Sequence, residues 1–155
     1  MKTIFNLSKT DAQRIAQLTA RLRRGGRRMT AQRAAVLAAL GRLGCARDAE
    51  TIHARARRIV PRLGLVTVYR ALEAFAAEGL VQRVDLGDGR MRYDLAEDGR
   101  GHHHHLVCLR CGRVARADRC ALAAPSRLGR TQGFIVTAHR LELFGYCRRC
   151  AIRGR

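Results

Sequence analysis

The sequence predicts a mixed α+β (α/β) fold in two parts: a helical stretch closing in a β-hairpin, then a short-stranded segment rich in Cys and His. Three observations carry this. Apolar residues recur at helical spacing four times and then switch to alternation after residue 80. The polar, Gly-containing stretch LAEDGRG, residues 95–101, interrupts both patterns. Five of the six cysteines and five of the six histidines lie beyond it. The expected boundaries are 1–95 for the first domain, 96–101 for a hinge and 102–155 for the second domain.

Ser8-Lys9-Thr10-Asp11 has capping-box form, and Ala12, Ile15, Leu18 and Leu22 follow at helical spacing until Gly25-Gly26. Thr30 caps a second helix carrying Val36, Leu37 and Leu40, which Gly41 and Gly44 are expected to close. Asp48 caps a third, with Ala49, Ile52, Ala56 and Ile59 on one face and Pro61 as the stop. In GLVTVYRALEAFAAEGLV the stripe Val68, Leu72, Phe75 turns inward, so Arg70 points away from it with Thr67 and Tyr69 on its flanks.

In VQRVDLGDGRMRYDL, Val84 and Leu86 alternate with Arg83 and Asp85, and Met91 and Tyr93 alternate with Arg90 and Arg92, around Gly87-Asp88-Gly89. Helices followed by such a hairpin fit a winged helix-turn-helix, whose last helix enters the major groove of DNA. Another small α+β domain with a solvated Arg face fits the same pattern. Past the boundary, LVCLRCGRVARA and FIVTAHRLELFGYC read as short strands around a helix over residues 119–130.

Charge narrows the partner. The chain has 155 residues and a formal net charge of +19, from 31 Lys and Arg against 12 Asp and Glu. Residues 1–62 hold 15 of the basic and 3 of the acidic side chains, so the surplus begins where the helices are. Such a surface attracts phosphates, and Arg27, Arg28 and Arg33 are placed to neutralise a backbone while Thr67, Tyr69 and Arg70 lie near base edges. No apolar run approaches the roughly 20 residues of a spanning helix, and the start MKTIFNLSKTDAQR lacks a secretory signal, so a cytoplasmic protein without a membrane partner is expected.

The cysteines carry the chemistry. Cys108-x-x-Cys111 and Cys147-x-x-Cys150 are separated by 35 residues, enough chain to return the second pair to the first. Four thiolates suit a closed structural Zn²⁺ site, whereas the alternative of disulfides conflicts with a reducing compartment. Cys45 and Cys120 are expected to be small buried residues. A zinc hydrolase or deaminase would need an open metal position and a nearby carboxylate base, and no H-x-E partner precedes a P-C-x-x-C; the chain is therefore not expected to be an enzyme. A zinc-stabilised RNA-binding protein fits the charge and the cysteines but explains neither the hairpin nor GHHHHLVCLRCG.

The run MTAQRAAVLAAL, the helix GLVTVYRALEAFAAEGLV, the hairpin GDGRMRYDL, the cluster HHHHLVCLRCG and the close HRLELFGYCRRC, colinear over residues 28–150, together resemble the Fur (ferric uptake regulator) family of metal-dependent bacterial repressors. The resemblance implies a winged-helix DNA-binding domain, an α/β dimerisation domain, a structural zinc and one or two sites where metal gates binding of a homodimer to a palindromic operator. It matches Cys108, Cys111, Cys147 and Cys150 to the structural zinc. It matches Asp94, His103 and His105 to a sensing site, and His102, His104 and His139 to a second, because alternate residues of one strand face opposite sides.

The sequence also departs from the family pattern. A His before the third helix, usual in iron and peroxide sensors, is replaced by Gly44-Cys45-Ala46-Arg47; an acidic ligand expected after the knuckle is Arg116, with Asp118 as a substitute after a register shift. The fourth sensing ligand is open among Gln82, Asp85 and Cys45. One carboxylate with imidazoles suits Fe²⁺, Mn²⁺ or Zn²⁺, and Asp94 where zinc sensors place a Cys favours iron; a zinc-sensing, manganese-sensing or peroxide-sensing member is the alternative.

Overall fold

The computed structural model describes residues 9–24, 28–96, 103–118, 120, 129–137 and 139–152. The chain divides into two compact units, Met1–Ala96 and Glu97–Arg155. The first unit holds α1 (Lys9–Arg24), α2 (Ala31–Leu43), β1 (Arg47–Asp48), α3 (Ala49–Ala56), α4 (Leu65–Ala77), β2 (Val81–Asp85) and β3 (Met91–Leu95). The second holds β4 (His104–Cys108), β5 (Val114–Ala117), β6 (Glu142–Gly145) and α5 (Arg148–Ile152).

Local signals start the helices. The Thr30 side chain accepts from the Arg33 N–H at 3.2 Å, and Asp48 accepts from Thr51 at 2.7 Å, each satisfying an orphan donor of a first turn. Helix α2 is buried without interruption from Ala35 to Gly41 because α1, α3, α4 and β3 all pack on it. Gly41 therefore lies inside α2, contrary to the expectation that it ends the helix. A Cβ there would stand 3.0 Å from Ile15 Cδ1, so its small size lets α1 approach. Only Gly44, at φ 70°, closes the helix. The core joins Leu22, Val36, Leu37, Leu40, Ile52, Val68, Leu72, Phe75 and Leu80, all fully buried.

The hairpin pairs β2 with β3 antiparallel, from Val81 opposite Leu95 to Asp85 opposite Met91. Strand β1 adds to the far edge of β3, making a three-stranded sheet where the alternation predicted two strands. Two residues are too few to show a period. The alternation of β3 also differs: Met91 is exposed, whereas Arg92 is buried. Its guanidinium donates from Nη1 to Asp88 Oδ1 at 2.7 Å and from Nη2 to Asp88 Oδ2 at 2.6 Å, so the charge enters paired.

Those hydrogen bonds from Arg92 hold the Asp88 carboxyl down at about 2. A depressed carboxyl contributes stability above its unfolded value of 3.8, lost as pH falls from there toward 2. Asp88→Asn is expected to cost about 1 kcal/mol at neutral pH, a ceiling set by solvent screening of the half-exposed carboxylate, and to flatten stability between pH 4 and about 2. Thermal melts of both proteins across that range check it; equal acid dependence would remove the clasp from the account.

In the second unit the sheet order is β5-β4-β6. Strand β4 pairs antiparallel with β5 (Val107 opposite Val114) and parallel with β6 (Cys108 beside Gly145). Residues 134–137, expected as a strand, form none: Phe134 N–H donates to Gly129 O at 2.8 Å, closing a turn, and Ile135 is 92% exposed. Most of the segment expected to be helical lies outside the described residues; 129–131 make one helical turn. No helix among the described residues is long and apolar enough to cross a membrane.

Candidate metal centres and nucleic-acid interface

The sheet register carries the two knuckles together. Cys108 ends β4 beside Gly145, and the chain reaches Cys147 two residues later. The first knuckle turns back through Gly112 at φ 66°, whose N–H donates to Cys108 O at 2.9 Å. The second opens α5, where Cys150 N–H donates to Cys147 O at 2.8 Å. All four sulfurs lie within 4.8 Å of one another, with Cys111 Sγ 3.8 Å from Cys147 Sγ. A tetrahedron of Zn–S bonds has edges of about 3.8 Å, so the set fits the ion, and no cysteine is in a disulfide. The Cys147 N–H donating to Cys108 Sγ at 3.3 Å lowers that thiol to about 6, while burial pushes Cys150 up to about 12. A bound cation would favour thiolate at all four.

Histidines alternate along β4. His103 and His105 stand with rings 5.1 Å apart, edge to face, and with ligating nitrogens within 4.8 Å of each other. His104 faces the other side, its ring 5.2 Å from that of His139, whose Nε2 is 3.2 Å from Cys120 Sγ. Cys120 is therefore half-buried within a cluster of ligating groups, not the simple buried residue expected. Its spacing from every other Cys and His offered no pattern, and an unmatched cysteine was the one available signal. His102 lies outside the described residues. Asp118 is exposed and pairs with Arg116, so it joins neither set.

In the first unit Asp94 is buried on β3. Its Oδ2 accepts from the Ala46 N–H at 3.2 Å, its Oδ1 from Leu95 at 2.8 Å, and a carboxylate oxygen lies within 4.8 Å of the buried Cys45 Sγ. The two other residues weighed as ligands turn elsewhere. Gln82, opposite Asp94 in the ladder, is exposed, and Asp85 is exposed and accepts from Gly87 N–H at 2.9 Å.

Arg28, Gln32, Arg33, Thr67 and Arg70 surround one hollow at the start of α2 and the exposed side of α4, bringing four of the residues read as DNA contacts together. Arg33 Nη1 donates to Arg28 O at 2.8 Å, which fixes the first pair. Tyr69 faces a different hollow, with Glu50, Arg90 and Met91, and its hydroxyl donates to Glu50 Oε1 at 2.8 Å. Glu50 and Arg90 carry no sequence motif that would have placed them there. Arg27 lies outside the described residues.

The profile of the Ferric uptake regulator family matches residues 24–144. The "Ferric uptake regulation protein" of Bacillus subtilis (strain 168) is 38% identical over 105 residues, 66% of this chain and 70% of that protein. Among solved structures, a "zinc-bound manganese uptake regulator" is 32% identical with a TM-score of 0.70, over 86% of this chain and 98% of its own. A "Zinc Uptake Regulator Complexed With Zinc AND DNA" is 25% identical with a TM-score of 0.62, over 95% and 99%.

Proposed function

The chain belongs to the Ferric uptake regulator family and is a metal-responsive DNA-binding regulator of transcription, and on that premise we propose that Zn²⁺ is its regulatory metal, ligated by Asp94, Cys45, His103 and His105. The single observation that carries the choice of metal is the Cys45 thiol beside the Asp94 carboxylate. A thiolate in the donor set favours zinc over the iron that one carboxylate and imidazoles suit. Asp94 and Cys45 belong to the first unit and His103 and His105 to the second, so an ion taking all four would link the units and restrict their arrangements.

The protein works as a homodimer that represses metal-homeostasis genes when the metal is bound. Leu106 and Leu143, paired side by side on β4 and β6, leave an apolar sheet face exposed, the surface we assign to the second copy. Cys108, Cys111, Cys147 and Cys150 hold a structural Zn²⁺. Their four thiolates leave no position for substrate, so the reading is of a binding protein, not an enzyme, in the reducing cytoplasm.

Operator affinity measured against buffered free Zn²⁺, Fe²⁺ and Mn²⁺ tests the assignment. Cys45→Ser is expected to weaken the zinc response at least tenfold and the manganese response much less. An unchanged ratio would take Cys45 out of the site and with it the argument for zinc.

The DNA face gives a separate expectation. Replacing Arg28 and Arg33 by Ala is expected to weaken binding to an operator and to random duplex about equally, and to make the salt dependence shallower by about 2, the share of two phosphate contacts. Arg70→Ala is expected to lower the preference for the operator. Selective operator loss in the double variant would reverse these roles.

A further inference from the structure

We propose that Glu50 is a specificity-determining positioning residue: it accepts the Tyr69 hydroxyl and so sets the orientation in which the Tyr69 ring meets DNA. The inference rests on the reading that the exposed side of α4 faces base edges.

The backbone at both ends of this contact is fixed. Asp48 pairs with Arg92 across β1 and β3, and its side chain accepts the Thr51 N–H at 2.7 Å, so the first turn of α3, which carries Glu50, is tied to the hairpin. On α4 the residues Val68, Ala71 and Leu72 are buried, and the helix packs on α3. That burial sets the rotation of α4 and turns Tyr69 outward, 39% exposed. What remains free is the Tyr69 side chain itself. Its hydroxyl donates to Glu50 Oε1 at 2.8 Å, which removes that freedom before DNA arrives.

The charge of Glu50 argues for a task. Its carboxylate lines one hollow with Tyr69 and Arg90 in the half of the chain that carries much of the basic surplus, and beside phosphates a negative charge weakens attraction. An acidic residue in a first turn also favours its helix, but that role needs only the charge. Among the described residues Glu50 makes no ion pair; its partner is a phenol. The bond to Glu50 raises the Tyr69 hydroxyl above its ordinary value, which keeps it a donor. A hydroxyl so engaged leaves the ring, rather than a rotating O–H, to meet the bases. Any acceptor at position 50, charged or not, suffices to hold it.

The test uses the full chain, loaded with zinc and saturated with regulatory metal, and reads the ratio of affinities for an operator and for random duplex, with thermal melts as a control on folding. Glu50→Ala is expected to lower that ratio about three- to tenfold, the share of one hydrogen bond to a charged group, while binding to random duplex stays level or tightens because a negative charge is gone. Tyr69→Phe, which keeps the ring and removes the hydroxyl, should lower the ratio by the same factor, and the double variant should lose no more than either alone. Glu50→Gln, which keeps the acceptor and removes the charge, should stay close to wild type in the ratio. An unchanged ratio in Glu50→Ala, a double variant that loses the product of the two single losses, or Glu50→Gln behaving as Glu50→Ala would each overturn the proposal. Tyr69→Ala and Arg70→Ala separate the two levels: a lowered ratio in both with none in Glu50→Ala removes the positioning role alone, whereas an unchanged ratio in both removes base reading by α4 and the positioning role with it.

Discussion

Cys147→Ser is expected to strip zinc from the protein and unfold the second unit, leaving the helical unit to melt on its own. The unit is small, Glu97–Arg155, and its sheet leaves Leu106, Leu143 and Phe144 exposed, so apolar burial within it is thin. Structural zinc in comparable sites supplies on the order of 10–16 kcal/mol of folding free energy at neutral pH, as much as the whole stability of many domains. Losing one of four thiolates also leaves three others without their cation. Metal analysis and thermal melts of the variant check this, together with the oligomeric state, which should fall to monomer. Unchanged zinc content and melting would show that the four cysteines do not hold the ion.

His103→Ala or His105→Ala is expected to leave a folded, zinc-containing dimer that no longer gains operator affinity from added metal. The wild-type gain is expected at the scale of allosteric couplings, about 5 to 150-fold, and both variants should bring it close to one. Asp94→Ala should do the same, with an added loss of stability because its carboxylate also accepts the Ala46 N–H. His104→Ala should retain most of the response, since its ring turns to His139. Linkage supplies an independent check: operator DNA should tighten regulatory-metal binding by the same factor in the wild type and not in the variants. A full response in His103→Ala would remove the sensing assignment, and equal damage from His103, His104 and His105 would make the histidines one undivided cluster.

Much of this is legible in the sequence. The caps at Thr30 and Asp48 and the stripe Val68, Leu72, Phe75 are local signals, which residues a few positions apart decide. The paired C-x-x-C motifs carry their partner in their spacing. What escaped depended on long-range contact. Gly41 reads as a helix stop until Ile15 is seen packed upon it. Arg92 reads as outward-facing until Asp88 is seen to bring its charge inside. Cys120 joins His104 and His139 only through strand register, which no short window of sequence encodes. Cys45 reads both as a small buried residue and as one of three candidates for the fourth sensing ligand until β3 places a carboxylate beside it.

The parallel pairing of β4 with β6 has a consequence for how the protein matures. Its register joins positions 37 residues apart, Cys108 beside Gly145, and a parallel ladder of that span has no hairpin to nucleate it. An ion held by Cys108, Cys111, Cys147 and Cys150 would cross-link the two ends of that loop and lower the entropy of closing it. Cys120 and His139 both lie inside the loop so tied. The first zinc a newly made chain captures would thus be a condition for the rest of this half to take shape, its other histidines and cysteine gathering afterwards. Under severe zinc shortage the chain would stop before it became a sensor at all, so that scarcity of the ion is felt first as a shortage of finished regulator and only later as an empty site.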